Sequence, residues 1–149
     1  MKIKEVMIKK VITIKKGQTL IEAAQILVKN NISGAPVVDN RGRLIGMLSE
    51  KDLFRALYPD VRDILKDVHL WLGKEKIKHR VEAKRGILVD KLMIRKIISV
   101  NPDTEILEAG SIMLTSQIHR LPVIKNKKLV GIVSRPDIFR NLLKTDLQI

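Results

Sequence analysis

The sequence predicts a mixed α/β fold built from two copies of a β-α-β-β-α unit. Short β-rich apolar runs are joined by polar turns, apolar residues then recur at helical spacing, and this whole pattern occurs twice. The 149 residues suffice for one ordinary domain or two small ones, and each half would be marginal in size alone. We therefore expect two similar halves within one folded chain.

The clearest copy of the pattern lies in the last third of the chain. Leu121–Ile124 and Leu129–Val133 are β-rich runs separated by a lysine-rich polar stretch, which predicts a β-hairpin. The spacing then changes, and Ser134 opens a predicted helix whose first turn contains Asp137. A hydroxyl, free helix N–H groups and a carboxylate thus gather at the end of a strand, where α/β proteins form ligand sites.

The first half repeats this pattern. Pro36 matches Pro122, 86 positions downstream, whereas Asp52 matches Asp137 at 85 positions because the first hairpin turn is one residue longer. This regularity indicates an internal duplication. Further pairs at the offset of 86 are Val6-Met7 with Leu92-Met93, Thr13 with Ser99, and Glu22-Ala23 with Glu108-Ala109.

These residues resemble the tandem cystathionine-β-synthase-type (CBS) domain pair, often called a Bateman module. The matching marks are V-M and L-M at the start of each half, I-S-G-A-P-V-V-D and I-H-R-L-P-V-I in the middle, and G-x-x-S-x-x-D at the end. The resemblance implies two CBS repeats related by pseudo-twofold symmetry, at residues 1–58 and 87–149. Residues 59–86 form an inserted helical and charged linker.

Local patterns predict the first elements of the chain. Ile3–Met7 should form a short helix, Val11–Ile14 a strand and Lys15–Gly17 a turn. Thr19 with Glu22 is a capping box, which predicts the start of a helix of about 12 residues. The inward faces of this helix and of its counterpart should contain Leu20, Ala23, Ala24, Leu27 and Val28, and Ile106, Ala109, Gly110, Met113 and Leu114.

Glycine, proline and phenylalanine carry further expectations. Gly110 weakens its helix by about 1 kcal/mol relative to alanine, which predicts tight packing there. Pro36 and Pro122 should each begin a strand, where a missing N–H does least harm. Phe54 and Phe139 follow the two aspartates at matching places and are predicted to anchor the core.

The insert has two parts of different character. Its first part has helical apolar spacing and predicts an amphipathic helix ending at Gly73; the apolar positions are Val61, Ile64, Leu65, Val68 and Leu72. Lys74–Arg85 is highly charged and weakly patterned, which predicts a mobile or solvated segment. Trp71 lies one residue off the apolar stripe, so it is either packed at an edge or part of a contact surface.

The composition limits the function classes. A net charge of +13 and a pI near 10.2 favour polyanionic partners such as nucleotides or nucleic acids, although a lysine-rich surface alone explains them too. Without cysteine there is no disulfide, thiol nucleophile or thiolate metal site. The N-terminus lacks a signal-peptide pattern and no run of about 18 apolar residues occurs, so we expect a cytoplasmic protein without a membrane partner.

The sequence offers little support for catalysis. His69, His79 and His119 are scattered and have no metal-ligand spacing. No Gly-x-x-x-x-Gly-Lys phosphate loop occurs, and no nucleophile has an evident base. We therefore expect neither an enzyme nor a metal site.

The S-x-x-D motif allows two interpretations. Ser134 can cap its helix and Asp137 can complement the helix dipole, so structure alone explains the motif. In the resembled family this aspartate accepts the ribose hydroxyls, which implies the same role for Asp137 and for Asp52. Ser49 is the matching cap of the first half.

The resemblance also implies phosphate contacts from His119 and Arg120, which lie just before a strand, with Arg135 assisting from the helix start. The matching first-half positions, Ser33 and Gly34, lack that charge, so we expect unequal sites. Adenine should lie near Thr13, Ser99, Ile118 and Ile32-Ser33. The full set that the resemblance implies is Thr13, Ile32, Ser33, Ala35, Pro36, Ser49, Asp52, Ser99, Ile118, His119, Arg120, Pro122, Ser134, Arg135 and Asp137.

Taken with its family resemblance, the sequence predicts a non-catalytic regulatory module that binds an adenosine ligand and forms a homodimer. Its basic residues favour AMP, ADP or ATP over S-adenosylmethionine. One alternative is a nucleic-acid-binding protein on the same scaffold, favoured by the +13 charge. Another is a purely structural dimerisation module.

Overall fold

The computed structural model describes residues 1–58, 61–66 and 74–149. It contains five strands, a 3₁₀ turn at Val89–Lys91 and helices within these residues. The strands are β1 (Ile14–Lys15), β2 (Gly34–Val38), β3 (Leu44–Ser49), β4 (Arg120–Lys125) and β5 (Lys128–Ser134). The helices are α1 (Ile3–Val6), α2 (Leu20–Lys29), α3 (Glu50–Leu57), α4 (Val61–Lys66), α5 (Lys74–Lys84), α6 (Ile106–Ser116) and α7 (Arg135–Asp146).

The chain forms two compact units, and each is built from segments that are not contiguous in the sequence. The first-repeat unit contains Ile12–Arg41 and Ile45–Lys96, and the second-repeat unit contains Met1–Val11, Gly42–Leu44 and Ile97–Ile149. The N-terminal helix α1 therefore belongs to the unit of the second repeat, and the segment after α5 belongs to that of the first.

The first-repeat unit is built on a three-stranded sheet in the order β1-β2-β3. β1 runs parallel to β2, with Ile14 opposite Val37. The β-branched residues of the strands pack with α2 and α3 in an apolar core that also contains Val89 and Met93 from the segment after α5. The fully buried members of this core include Ile14, Leu20, Ala23, Ala35, Val37 and Val89.

The second-repeat unit repeats this arrangement around the β4–β5 hairpin. Leu121 lies opposite Val133 in the antiparallel register, and Val100 forms a parallel bridge to Val123 that corresponds to the β1–β2 pairing. The hairpin turn places Asn126 and Lys127 at φ 51° and 64°, the conformation that a two-residue hairpin loop of matching twist requires. Ile3 from α1 is fully buried in this core.

Each unit contains a close contact between a methionine and a glycine. A methyl group placed on Gly131 would lie 2.6 Å from Met7 Sδ, and one placed on Gly46 would lie 2.5 Å from Met93 Sδ. The two glycines begin the G-x-x-S-x-x-D motifs, and the two methionines end the V-M and L-M marks. The motif residues thus include packing partners far apart in sequence, which the sequence patterns alone did not reveal.

The predicted capping box at the start of α2 is confirmed. The Thr19 backbone N donates to Glu22 Oε2 at 3.0 Å and the Glu22 N donates to Thr19 Oγ1 at 3.3 Å.

The strand predicted at Val11–Ile14 is wrong in its position, because pairing with β2 begins only at Ile14.

The prolines lie inside their strands rather than at the start. β2 begins at Gly34 and β4 at Arg120, two residues before each proline. For Pro122 the physical reason lies in the parallel bridge, where the Val100 N donates to the Pro122 carbonyl and the Ile124 N donates to the Val100 carbonyl, so the bridge does not use the nitrogen of Pro122. The missing N–H therefore costs no ladder hydrogen bond.

The predicted inward faces of α2 and α6 are too wide. Val28 and Leu114, the last predicted position in each helix, are 81% and 71% exposed.

The predicted core anchors Phe54 and Phe139 are also exposed. Each follows a pair of residues that faces the sheet, Asp52-Leu53 or Asp137-Ile138, and the helix turns the next side chain away from the sheet. Phe54 contacts the ring of Tyr58, with the centroids 5.4 Å apart.

Gly110 contradicts the expectation of tight packing. A methyl group on Gly110 would meet Ile138 Cγ2 at 3.6 Å, an ordinary van der Waals distance. The neighbours of Gly110 therefore leave room for a methyl group, and alanine would fit at this position of the helix.

The described part of the insert contains α4 and α5 and ends in a turn at Arg85-Gly86. The predicted amphipathic helix begins at Val61, but Val68, Trp71, Leu72 and its predicted end at Gly73 lie outside the described residues. Lys74–Arg85, predicted as a mobile or solvated segment, contains α5, which packs against α3. Its described side chains are mostly exposed, because helical spacing leaves it no continuous apolar face. No helix in the described ranges is long and apolar enough to cross a membrane.

Candidate functional site

The site residues of the second repeat gather at one end of β4. Arg120 lies opposite Ser134 in the hairpin, and the Arg135 backbone N donates to the His119 carbonyl at 2.9 Å. The Val100–Val123 bridge places Ser99 next to Pro122. We define the second-repeat site as Ser99, Ile118, His119, Arg120, Pro122, Ser134, Arg135 and Asp137.

Among the described residues, only one of the two carboxylate oxygens of Asp137 accepts hydrogen bonds. Its Oδ2 accepts hydrogen bonds from the Ser134 backbone N at 2.9 Å and from the Ser134 hydroxyl. Its Oδ1 accepts no hydrogen bond from the described residues, and the side chain is half-buried. The helix-capping interpretation is therefore confirmed, and one fixed carboxylate oxygen is left over that capping does not use.

His119 and Arg135 contact each other through their side chains. Arg135 Nη2 is within hydrogen-bonding distance of His119 Nδ1, and both residues are exposed. A guanidinium can only donate, so Nδ1 is the acceptor in this contact. Arg120 is half-buried at the start of β4. The structure thus places two arginines and a histidine around the start of α7.

The first repeat assembles its predicted residues in the same way. The Glu50 backbone N donates to the Ser33 carbonyl at 2.9 Å, which is the bond that Arg135 makes to His119 in the other repeat. The parallel register places Thr13 beside Pro36. We define the first-repeat site as Thr13, Ile32, Ser33, Ala35, Pro36, Ser49, Glu50 and Asp52.

Asp52 is more enclosed than Asp137. Its Oδ2 accepts from the Ser49 backbone N at 2.8 Å and from the Ser49 hydroxyl at 3.0 Å. Its Oδ1 lies 3.8 Å from Arg55 Nη1, and the residue is only 7% exposed. Both carboxylate oxygens therefore have polar neighbours within the chain, so this aspartate is less available to a ligand hydroxyl.

The predicted residues differ in what they can offer a ligand. Ser33 and Ser99 are exposed, and Thr13, Ile32 and Ile118 are half-buried. The side chains buried in the strands are Ala35, Pro36 and Pro122. In the ranges that the structure describes, no three His, Asp or Glu side chains come together as metal ligands do.

Glu50 is the site residue that the sequence analysis missed. It follows Ser49 as Arg135 follows Ser134, and its backbone makes the equivalent hydrogen bond. The signal was present in the two motifs, S-E-K-D and S-R-P-D, which differ by a reversal of charge directly after the serine. The asymmetry of the sites thus includes this position as well as Ser33-Gly34.

Comparison with known proteins agrees with this architecture. The CBS domain pattern matches residues 3–59 and 89–144. The uncharacterised protein MJ1426 of Methanocaldococcus jannaschii is 34% identical over 155 aligned residues, covering 96% of this chain and 92% of that protein.

Two solved structures share the fold. The CBS domain pair of protein MJ0100, in complex with 5′-methylthioadenosine and S-adenosylmethionine, is 26% identical with a TM-score of 0.73, covering 95% of this chain and 99% of that one. CBSX2 of Arabidopsis thaliana, in complex with AMP, is 23% identical with a TM-score of 0.74, covering 97% and 98%. The chain belongs to the CBS domain family and contains two CBS repeats. The predicted family and the mixed α/β fold class are thereby confirmed.

Proposed function

We propose that this chain is a non-catalytic regulatory module that binds an adenosine nucleotide. Family membership supports the general class, because the CBS pairs of CBSX2 and MJ0100 hold AMP and adenosine thioether or sulfonium ligands. The second-repeat site is the principal binding site, with a weaker site in the first repeat.

The observation that carries this proposal is the unused oxygen of Asp137. Ser134 fixes the carboxylate through Oδ2, so Oδ1 is held in a defined direction beside the first turn of α7. A ribose presents two adjacent hydroxyl donors, and a carboxylate that is already oriented accepts them without first losing rotational freedom. Ile118 and Ser99 border the same end of β4, which supports assigning the contacts to the adenine ring to them.

The charge around this site favours a phosphate on the ligand. Arg135 and Arg120 supply two guanidinium groups, and each can engage phosphate oxygens with two parallel hydrogen bonds. His119 contacts Arg135 and holds its guanidinium near the helix start, where the helix dipole also attracts anions. AMP, ADP and ATP fit this cluster better than the sulfonium cation of S-adenosylmethionine.

The active assembly that we propose is a homodimer. Two repeat-matched pairs of apolar side chains are exposed: Val28 with Leu114 and Phe54 with Phe139. Matched apolar positions on α2 and α3 and on α6 and α7 give a second copy of the chain a recurring surface to cover. Nucleotide binding would then act on the partnership or shape of this dimer.

The net charge of +13 favours a second candidate function, the binding of RNA or DNA on the same scaffold. Such binding would weaken steeply with salt and would not depend on AMP. A purely structural dimerisation module remains the third candidate and requires that no ligand binds.

Thermal-shift measurements with AMP, ADP, ATP, S-adenosylmethionine and an oligonucleotide separate the three functions. A ligand present at about 100 times its Kd stabilises the native state by about 2.7 kcal/mol, which raises Tm by roughly 5–10 °C for a domain of this size. We expect this shift with AMP, ADP or ATP. A shift with the oligonucleotide alone would support the nucleic-acid function, and no shift with any of them would support the structural one.

A further inference from the structure

Position 50 carries the opposite charge to position 135 in otherwise matching sites. Each residue directly follows the serine that caps its helix, and each donates its backbone N–H at 2.9 Å to the carbonyl before the strand, Ser33 or His119. The two side chains therefore leave equivalent backbone positions, one as a carboxylate and one as a guanidinium. Glu50 is exposed and forms no ion pair with the described residues.

The contrast lies within the two motifs. In the first repeat Glu50 and Asp52 are negative and Lys51 and Arg55 are positive, whereas the second-repeat motif has Arg135 and a single carboxylate, Asp137. The histidine that supports the arginine in the second repeat is replaced by Ser33 in the first. An anionic ligand group would thus meet a guanidinium at position 135 in one repeat and a carboxylate at position 50 in the other.

We propose that the first-repeat site selects adenosine ligands whose 5′ substituent carries no negative charge, and that Glu50 is the residue that sets this preference. The inference rests on the proposed adenosine-binding function and extends it to the ligand class of the weaker site. A 5′ phosphate is repelled by the Glu50 carboxylate, whereas a 5′ thioether is tolerated and a 5′ sulfonium is attracted. One chain could then bind a nucleotide and a sulfur-linked adenosine together.

The likeness to MJ0100 is consistent with this proposal, because the structure of that CBS pair holds 5′-methylthioadenosine and S-adenosylmethionine. AMP is the ligand held in the CBSX2 structure. The CBS fold therefore accepts both ligand classes, and specificity must come from side chains at the 5′ end of the ligand. The reversal between Glu50 and Arg135 is a charge difference of the required kind.

The experiment uses the full chain with the second-repeat site disabled by Asp137→Ala. Calorimetric titration with S-adenosylmethionine, 5′-methylthioadenosine and AMP should give affinities that fall in that order. Glu50→Gln should reduce the ratio of the affinity for S-adenosylmethionine to the affinity for AMP by about tenfold, and Glu50→Arg should make AMP the tighter ligand of the two. Higher salt should reduce the effect of either substitution because the interaction is between partly exposed charges.

Gln25→Lys is the matched control, because it changes the net charge by the same amount as Glu50→Gln at an exposed position on α2. It should leave the preference unchanged. Equal or tighter binding of AMP than of 5′-methylthioadenosine, or an unchanged preference in Glu50→Gln, would overturn the role of Glu50 while adenosine binding still stood. Failure of every adenosine ligand to bind the parent chain would instead refute the proposed function, and this inference with it.

Discussion

Met93 lies against the backbone of Gly46 so closely that a methyl group there would sit 2.5 Å from its Sδ and 2.9 Å from its Cγ. The carbonyl oxygen of Ile94 would be 3.2 Å away. The same residue types meet in the second-repeat unit, where Met7 lies against Gly131. A glycine in the G-x-x-S-x-x-D motif is therefore required by packing from a distant segment, in addition to any role near a ligand.

We expect Gly46→Ala to destabilise the protein by about 1–3 kcal/mol, because inserting a methyl group into a filled space forces Met93 or the backbone to move. Urea denaturation measures the change. Gly86→Ala is the control, since nothing lies within 4 Å of a methyl group there. In a Met93→Ala background the cost of Gly46→Ala should largely vanish, and an undiminished cost would show that the contact is not responsible.

Gly110→Ala should have the opposite effect. The helix α6 has room for the methyl group beside Ile138, and alanine has a higher helix propensity than glycine. We expect a gain of about 0.5–1 kcal/mol in the free energy of unfolding. Thermal and urea denaturation should agree on the gain, and a loss of stability would mean that this helix needs a closer approach than the structure shows.

The sequence predicted features that depend on neighbours within one turn or one hairpin. The Thr19–Glu22 capping box and the S-x-x-D helix starts are local, so their hydrogen bonds follow from spacing. The contact between Met7 and Gly131 joins residues at opposite ends of the chain, and no periodicity encodes such a pair. The patterning likewise did not show that Phe139 is exposed. The sequence pattern of an apolar residue beside a core stripe is the same whether that residue is buried in the core or exposed at the surface.

The ion pair between Lys4 and Asp103 should make stability depend on pH. Lys4 Nζ lies 2.7 Å from Asp103 Oδ1; the hydrogen bond and the charge of Lys4 lower the pKa of the Asp103 carboxyl, and the same bond raises the pKa of Lys4. A lowered carboxyl pKa stabilises the fold above the pKa of the unfolded chain, roughly 4, and this contribution is lost as pH falls through the folded value. The raised lysine pKa contributes below roughly pH 10 and is lost as pH rises through its folded value.

The destabilisation caused by Asp103→Asn should therefore be largest near neutral pH and should shrink at both extremes. Because both side chains are exposed, the effect should also shrink with added salt. Urea denaturation as a function of pH tests this, with Glu108→Gln as an exposed control on α6. A pH-independent cost of Asp103→Asn would mean that the ion pair does not contribute to stability.

Asp137→Ala should weaken AMP binding at the second-repeat site by roughly 10- to 150-fold, because hydrogen bonds to a charged acceptor are worth about 1.5–3 kcal/mol. It should also lower stability by about 0.5–2 kcal/mol, since Oδ2 caps the start of α7 through Ser134. Asp137→Asn keeps one acceptor oxygen for the cap. Its free-energy cost in stability should therefore be smaller than its free-energy cost in AMP binding. Calorimetry with both variants, and with Asp146→Asn at the far end of α7 as control, separates the roles. Parental affinity in both variants would make Asp137 a capping residue only.

The proposed dimer predicts that light scattering gives twice the chain mass. Introducing a carboxylate at the exposed apolar positions, as in Leu114→Glu or Val28→Glu, should shift the mass towards the monomer because a buried unpaired charge opposes association. Ile149→Glu, at the exposed C-terminal residue, should leave the mass unchanged. A monomer mass for the parent chain at all working concentrations, with and without AMP, would refute the dimer.

The membership of Met1–Val11 in the second-repeat unit has a consequence for synthesis in the cell. Ile3 donates its N–H to the Thr104 carbonyl, and Ile8 pairs with Ile132, so these residues leave the ribosome long before their partners are synthesised. At about 5–20 residues per second, the strand that receives Ile8 emerges roughly 6–25 seconds later. Throughout that interval the apolar side chain of Ile3, fully buried in the finished protein, is open to chaperones and proteases.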